Sequence, residues 1–460
     1  MKTLRVKHTM DLTQGPILKK LLAFAMPVVL TNLLQQLYNA ADTIVVGKFD
    51  GKIALAAVGS TASVTALILN TFIGLTIGAN VICSGYFGER KEKELRASMQ
   101  TSLILGVLVG IAVGAVGFLF SRPILEWMGC QPTVIDAATL YMRVIFLGSP
   151  ASLLYNFGAS ILRSHGDTQR PMYILTVSGL VNVVLNVVFV VGFRMSVLGV
   201  ALATVASQVL SAVLVLFILF HPHGEYRLRL FEFRFSVTEF RKICRVGIPC
   251  GINSAAFYIS NVLIQAQVNS LGDVMMAGNS AGSSVDALIY ITISSFATAV
   301  VSFAGQNDGA KQYRRIDRLA WIAVLVSTVM NVTVAGIFNL FPHFFLGMFT
   351  NDPEVIDAAQ IRLLILGMSY FTMIPSEILC GILRGMKDSA VPTFISIVCI
   401  CVIRLLWIFT VFVHFRTPET LFFSYPVSWV IASVVMTIRF LLIRRKKYDS
   451  LQQMPVPAEN

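Results

Sequence analysis

Near its start the chain reads Asn32-Leu33-Leu34-Gln35-Gln36-Leu37-Tyr38-Asn39-Ala40-Ala41-Asp42-Thr43. The polar members of this stretch, Asn32, Gln35, Gln36, Asn39, Asp42 and Thr43, recur at the spacing of one helical face. Around them residues 21–47 are otherwise apolar, long enough for a helix that crosses a bilayer. Six polar groups turned toward lipid would be prohibitively costly, so the stripe must look into a helical bundle or a watery cavity.

The same arrangement returns later in the chain. Ala25-Met26-Pro27 opens the first stripe, and Gly247-Ile248-Pro249 opens a second, with Ser254, Tyr258, Asn261 and Gln265 in the places of Asn32, Gln36, Asn39 and Thr43. Ile161-Leu162-Arg163 with Asp167 and Pro171 is answered by Ile382-Leu383-Arg384 with Asp388 and Pro392. A duplication in the same order implies two similar bundles related by a pseudo-two-fold axis along the membrane normal. One difference stands out: the place of Asp42 is taken by Ile264 in the second copy. A carboxylate kept in one half alone suggests that this half handles a cation.

Composition supports a polytopic membrane protein. Of 460 residues 56% are hydrophobic and 13% charged, and mean hydropathy is +0.75. Twelve apolar stretches, six per copy, run from 21–47 to 420–443. The expected fold is all-α, with twelve transmembrane helices in two six-helix lobes. The lobes are placed at 1–220 and 243–445, joined by a cytoplasmic linker at 221–242 and followed by a disordered tail at 446–460. Within the linker, alternating charged and apolar residues from Arg227 to Phe235 suggest a short extended segment at the membrane surface.

Of the 36 lysines and arginines, 27 flank the spans on the side of the N-terminus and 5 on the other. This bias places both termini in the cytoplasm and points to the inner (plasma) membrane. It also explains the net charge of +12 without nucleic acid, because the charge is spread over short loops facing anionic lipid. The polar, basic first 17 residues do not read as a cleavable signal. The seven cysteines form no CxxC pair and the six histidines lie in termini or loops, so neither a disulfide framework nor a metal or cofactor site is expected. No phosphate-binding glycine loop and no catalytic triad pattern is present, which argues against an enzyme.

Asp42 is the leading candidate for chemistry. A carboxylate partly withdrawn from water can load and release a proton near neutral pH. Asn39 shares its face, Asn182 and Asn186 lie one turn apart on span five, and Asn156 ends span four; all four are candidate partners. Pro27 removes one backbone hydrogen bond from the same helix and is the candidate hinge. Candidate substrate contacts are Gln36, Tyr258 and Asn261 on the two stripes, with Asp286, Glu377 and Arg404 at membrane depth in the second half. Arg404 and Glu377 are placed to pair, or Glu377 to meet a cationic substrate. In span three Gly106, Gly110, Gly114 and Gly117 read as a packing stripe.

At this point the chain resembles the multidrug and toxic compound extrusion (MATE) family. The resemblance rests on Gly15-Pro16-Ile17-Leu18, the stretch Pro27 to Gly47, Gly85-Tyr86-Phe87-Gly88, Gly199 to Thr204, Gly305 to Ala310 and Leu383-Arg384-Gly385. It covers about residues 13–443. It implies two six-helix lobes around a cavity, and export of drugs or organic cations in exchange for H+ or Na+. It also implies that Asp42 and Asn182 belong to a cation site of the N-terminal lobe. A second aspartate frequent in the family on helix five is Asn186 here, and Asn253 to Asn269 lacks the carboxylate that some branches carry. A hard cation benefits from more anionic oxygens, so proton coupling is the preferred expectation.

The expectation is therefore a monomeric H+-coupled antiporter, with Na+ as the other possible ion. Two alternatives stand beside it: a flippase or exporter of lipid-linked or polysaccharide precursors, for which intramembrane cations are few, and a non-transporting scaffold or receptor, against which the polar stripes speak.

Overall fold

In a computed structural model of the chain, residues 9–49, 51–221, 226, 228, 234–350 and 352–452 are described. These are helical almost throughout, and no strand occurs among them. The first half holds α1 (Ile17–Phe49), α2 (Gly51–Glu89), α3 (Glu92–Trp127), α4 (Ile135–Leu147), α5 (Ser149–Ser164), α6 (Gln169–Asn186) and α7 (Ser196–Phe220). The second holds α8 (Val237–Asn269), α9 (Asp273–Gly309), α10 (Tyr313–Leu340), the short α11 (Pro342–Leu346), α12 (Pro353–Gly385), α13 (Ala390–Ser396), α14 (Ile403–Trp407) and α15 (Pro418–Gln452).

Among the described residues eleven helices are long and apolar enough to span a membrane, and α4 with α5, bent by 44° at their junction, brings the number to twelve if the pair is one span. The bend follows from local sequence. Gly148 and Pro150 flank the break, and proline cannot donate the helical bond expected at its position. Ser149 Oγ compensates: it lies 2.7 Å from Phe146 O, the carbonyl that Pro150 leaves without a helical donor, and 2.8 Å from Gly110 O, and its one proton serves either of them.

The glycines of α3 explain that approach. A β-carbon on Gly110 would fall 2.4 Å from Pro150 Cα, and one on Gly117 would enter the ring of Phe146. Close backbone approach is what such a stripe permits in lipid. Gly74 of α2 and Gly251 of α8 meet in the same way, with 2.5 Å between a β-carbon on one and the Cα of the other.

The chain divides into two compact units. One holds Met26–Ala255 with the described residues up to Asp11, the other Leu12–Ala25 with the described residues from Ala256 on. In the first, Val46, Leu125, Met142, Phe146, Leu153 and Val200 form one buried cluster, and Cys83, Met99, Leu162, Val215 and Tyr226 belong to another. In the second, buried Phe24 meets Phe303 edge-on at 6.3 Å.

The duplication is written into the backbone. Left-handed residues recur in pairs 221 positions apart: Gly51 and Gly272 (φ 84° and 102°), Arg90 and Lys311 (58° and 56°), Gly166 and Lys387 (82° and 67°). The last pair closes the same turn twice. Gly166 N–H donates to Arg163 O and Asp167 N–H to Leu162 O; Lys387 donates to Arg384 and Asp388 to Leu383 likewise. A π-helical turn at Val187–Gly192 also returns at Ile408–Phe412.

Two expectations about connections need correction or restriction. Helix α8 begins at Val237, inside the stretch read as linker. Of the extended segment expected from Arg227 to Phe235, residues 227 and 229–233 lie outside the described residues, while Tyr226 and Leu228 are buried in the first unit. The tail expected to be disordered from 446 is instead helical to Gln452, and 453–460 lie outside the described residues. The polar composition misled because ion pairs pin this turn: Arg444 to Asp317 at 2.9 Å, Lys447 to Asp308 at 2.7 Å, with Tyr448 OH donating to Asp317 at 2.7 Å.

Candidate functional site

Asp42 is brought by α1 to the end of α6, where the α-helix gives way to the π-turn. Asn186, the last residue before that turn, donates through Nδ2 to Asp42 Oδ1 at 2.5 Å and to Asn182 Oδ1 at 3.2 Å. Such single π-turns are frequent at functional positions because they release a carbonyl and re-aim side chains. From α7, Thr204 Oγ1 lies 3.3 Å from Asp42 Oδ2 and 2.9 Å from its own Val200 O. A hydroxyl carries one proton, so Thr204 serves either the carboxylate or the carbonyl, not both at once.

Two features of this cluster carry chemical meaning. No lysine or arginine among the described residues pairs with Asp42, so its charge is met by amides and a hydroxyl alone. Asn186 is fully buried, and its Oδ1 has no donor. A buried acceptor without a donor beside a carboxylate is a place where a proton or a small cation would be welcome.

Of the five residues expected here, Asp42, Asn182 and Asn186 come together. Asn156 does not. Its Nδ2 donates to Ser152 O, one turn back, at 2.8 Å. Asn39 is exposed and is absent from the hydrogen bonds of Asp42. Thr204 stands where those two were expected. Gln36 is exposed, and α1 runs unbroken through Pro27, whose carbonyl accepts from Thr31 Oγ1 at 2.7 Å.

The second unit has a different interior. Asp286 of α9, a candidate substrate contact, is paired within the unit. It accepts from Arg362 Nη2 and from Tyr370 OH, each at 2.8 Å. Arg362 Nη1 donates to Asn279 Oδ1 at 2.7 Å, and Asn279 donates to Gln265 Oε1 at 2.7 Å. The pairing expected between Arg404 and Glu377 does not form. Arg404 lies over the ring of Tyr425 at 4.0 Å and donates through Nε to Ser428 Oγ at 3.0 Å. Glu377 instead has Arg384 and Tyr290 as its electrostatic neighbours. Tyr370 stacks on Trp429 at 5.0 Å and approaches Tyr290 at 6.4 Å, which makes an aromatic chain through the unit. Tyr258 is partly buried and Asn261 exposed.

A family model described as MatE matches residues 27–188 and matches again at 249–410. The chain belongs to the MatE family. It is thus a multi-pass membrane protein of a multidrug efflux transporter family, whose members carry small molecules and are not enzymes. MatE relatives include the probable multidrug resistance protein YoeA of Bacillus subtilis, 25% identical over 92% of this chain and 93% of that one. The probable multidrug resistance protein NorM of Thermotoga maritima is 26% identical over 87% of each. Among solved structures, an outward-facing multidrug resistance MATE family transporter superposes with a TM-score of 0.90 at 21% identity, over 97% of this chain and 100% of that one. A MOP superfamily transporter from Pyrococcus furiosus, described by the reverse polarity of its binding pocket, gives 0.89 at 21% over 95% and 98%. At that identity the likeness concerns the MatE fold alone.

Proposed function

We propose that the protein is a proton-coupled antiporter that exports drugs or other organic cations by alternating access. It works as a monomer in the inner (plasma) membrane with both termini in the cytoplasm. The observation that supports this is the carboxylate of Asp42, held by Asn186 and Thr204 with no basic partner among the described residues. When a proton arrives, the carboxyl turns from an acceptor into a donor. Asn186 Oδ1 then supplies the acceptor it needs, provided the amide turns. Movement of that amide reaches the π-turn at Val187–Gly192 directly. Proton and substrate need not touch; each shifts the equilibrium between two states by its own differential affinity for them.

A sodium-coupled form of the same scheme is the second reading. The oxygens of Asp42, Asn182, Asn186 and Thr204 are hard donors suited to such an ion, and Asn186 Oδ1 is unused. One carboxylate among them is a thin charge for Na+, so the proton is preferred.

The test is reconstitution of the full chain into liposomes, with efflux of a fluorescent cation followed under an imposed ΔpH or an imposed Na+ gradient. Efflux driven by ΔpH and lost in Asp42→Asn supports the proposal. Efflux unchanged in that variant overturns it.

A further inference from the structure

Around Tyr425 in the second unit, positive charge exceeds negative. Arg404 lies 4.0 Å from the ring centroid and Arg362 5.9 Å, so two guanidiniums share one phenol. One carboxylate stands against them. The two oxygens of Asp286 each accept one hydrogen bond, Oδ2 from Arg362 and Oδ1 from Tyr370. Arg404 is 3% exposed and has no carboxylate partner among the described residues.

The hydrogen bonds are lopsided in the same sense. Arg362 Nε and Trp429 Nε1 are buried without an acceptor. Arg404 spends Nε on Ser428, and its two terminal nitrogens meet no acceptor among the described residues. Trp429 is 2% exposed, and its ring lies 5.7 Å from the Arg404 guanidinium. Arg362 Nε and Trp429 Nε1 are both N–H donors. Aromatic faces offset part of the burial of a guanidinium, but they give its N–H groups nothing to bond in its plane. What the cluster lacks is a species that accepts hydrogen bonds, donates none and carries one negative charge.

We propose that the interior of the second unit is an anion site, in which Arg404 with the indole N–H of Trp429 holds a halide or the carboxylate of a small ligand. The Arg362–Asp286 pair, neutral in sum, forms its wall and leaves the charge of Arg404 unbalanced. The site is independent of the coupling assigned to Asp42, since it asks only for binding.

The test uses the purified full chain in detergent, melted in chloride, bromide or acetate with ionic strength held by a bulky sulfonate. Saturable elevation of Tm by one of these anions is expected. A larger response to chloride and bromide assigns a free halide; a larger response to acetate assigns a ligand carboxylate. In Arg404→Gln the anion response disappears, while Tm in the sulfonate buffer rises or holds because an unmatched charge has gone. If that variant fails to fold, Trp429→Phe keeps the aromatic face and removes one donor. Its half-saturating anion concentration should rise about ten-fold, the loss of one hydrogen bond to a charged group. A wild-type Tm indifferent to all three anions overturns the proposal. So does an Arg404→Gln protein that melts lower by the same amount in every buffer, which is what a purely structural arginine would give.

Discussion

The ring of Tyr38 in α1 lies against the bare Cα of Gly179 in α6. A β-carbon there would sit 1.8 Å from Tyr38 Cζ. The phenol OH also donates to Thr176 O, at 3.3 Å. Only glycine leaves room for this contact, which sits one turn below Asp42 on α1 and close to Asn182 on α6. Gly179→Val should therefore displace Tyr38 or α1, lower stability by about 1–3 kcal/mol and cut efflux. Tyr38→Ala in the same protein should restore part of both. Thermal melting and dye efflux on the four members of that cycle check the coupling, and strictly additive effects would refute it.

Thr204 tests whether the hydroxyl on Asp42 matters chemically. Thr204→Val keeps the shape and loses the donor, and efflux should fall about ten-fold, the scale of one hydrogen bond to a charged group. Thr204→Ser should retain most activity.

Asn186→Asp would put a second carboxylate in contact with Asp42 and raise the anionic oxygen count for a hard cation. Efflux that becomes stimulated by an imposed Na+ gradient, where the wild type responds to ΔpH, is the expected outcome. An unaltered ion preference would argue that the Asp42 cluster does not select the coupling ion.

Asp286 and Arg362 form a buried pair, so removing one partner strands the other. Asp286→Ala should cost about 3–5 kcal/mol, whereas Asp286→Leu combined with Arg362→Met should recover most of the melting temperature. Retention of wild-type stability by the single variant would dismiss the pair as structural.

His165, just past the end of α5, is buried between Phe87 and Tyr226, with ring centroids 4.8 and 4.9 Å away. Burial pushes it down to about 4 from its ordinary 6.5. The unfolded chain therefore takes up this proton first as pH falls. Stability from keeping the ring neutral is whole above pH 6.5 and drains as pH drops toward 4, by about 3 kcal/mol in all. His165→Phe should start lower, because the contact to Ile161 O at 2.9 Å is lost, yet show a flatter melting profile across that window.

The spans and their duplication were legible because apolar length and polar spacing are properties of the chain itself. Asp42, Asn182 and Asn186 were legible for the same reason, since each lies on a face that periodicity marks. Thr204 was not, because it lies in a stretch, Gly199 to Thr204, that marks the family but has no polar periodicity to single out the threonine. Asn156 misled because its amide turned back on its own helix, a competition that spacing does not reveal. The second unit was hardest. Which aromatic ring covers Arg404 depends on the rotation and depth of α15 against its neighbours, whereas the sequence shows only that Glu377 and Arg404 both lie within apolar spans. The signal for the pairing of Asp286 was Arg362, the one basic residue between Asp357 and Glu377 on α12 and the partner that a buried carboxylate requires. The break at Gly148 and Pro150 was visible as residues, but its angle needed the packing of α3.

The paired left-handed turns at Gly51 and Gly272, Arg90 and Lys311, and Gly166 and Lys387 have a consequence for how this chain can change. The joints are the same in both halves while what they enclose is not: an acid at Asp42, a hydrocarbon at Ile264. A gene built this way holds two drafts of one vessel. Selection can rewrite the contents of either while the frame, stored in duplicate, goes on being spelled correctly.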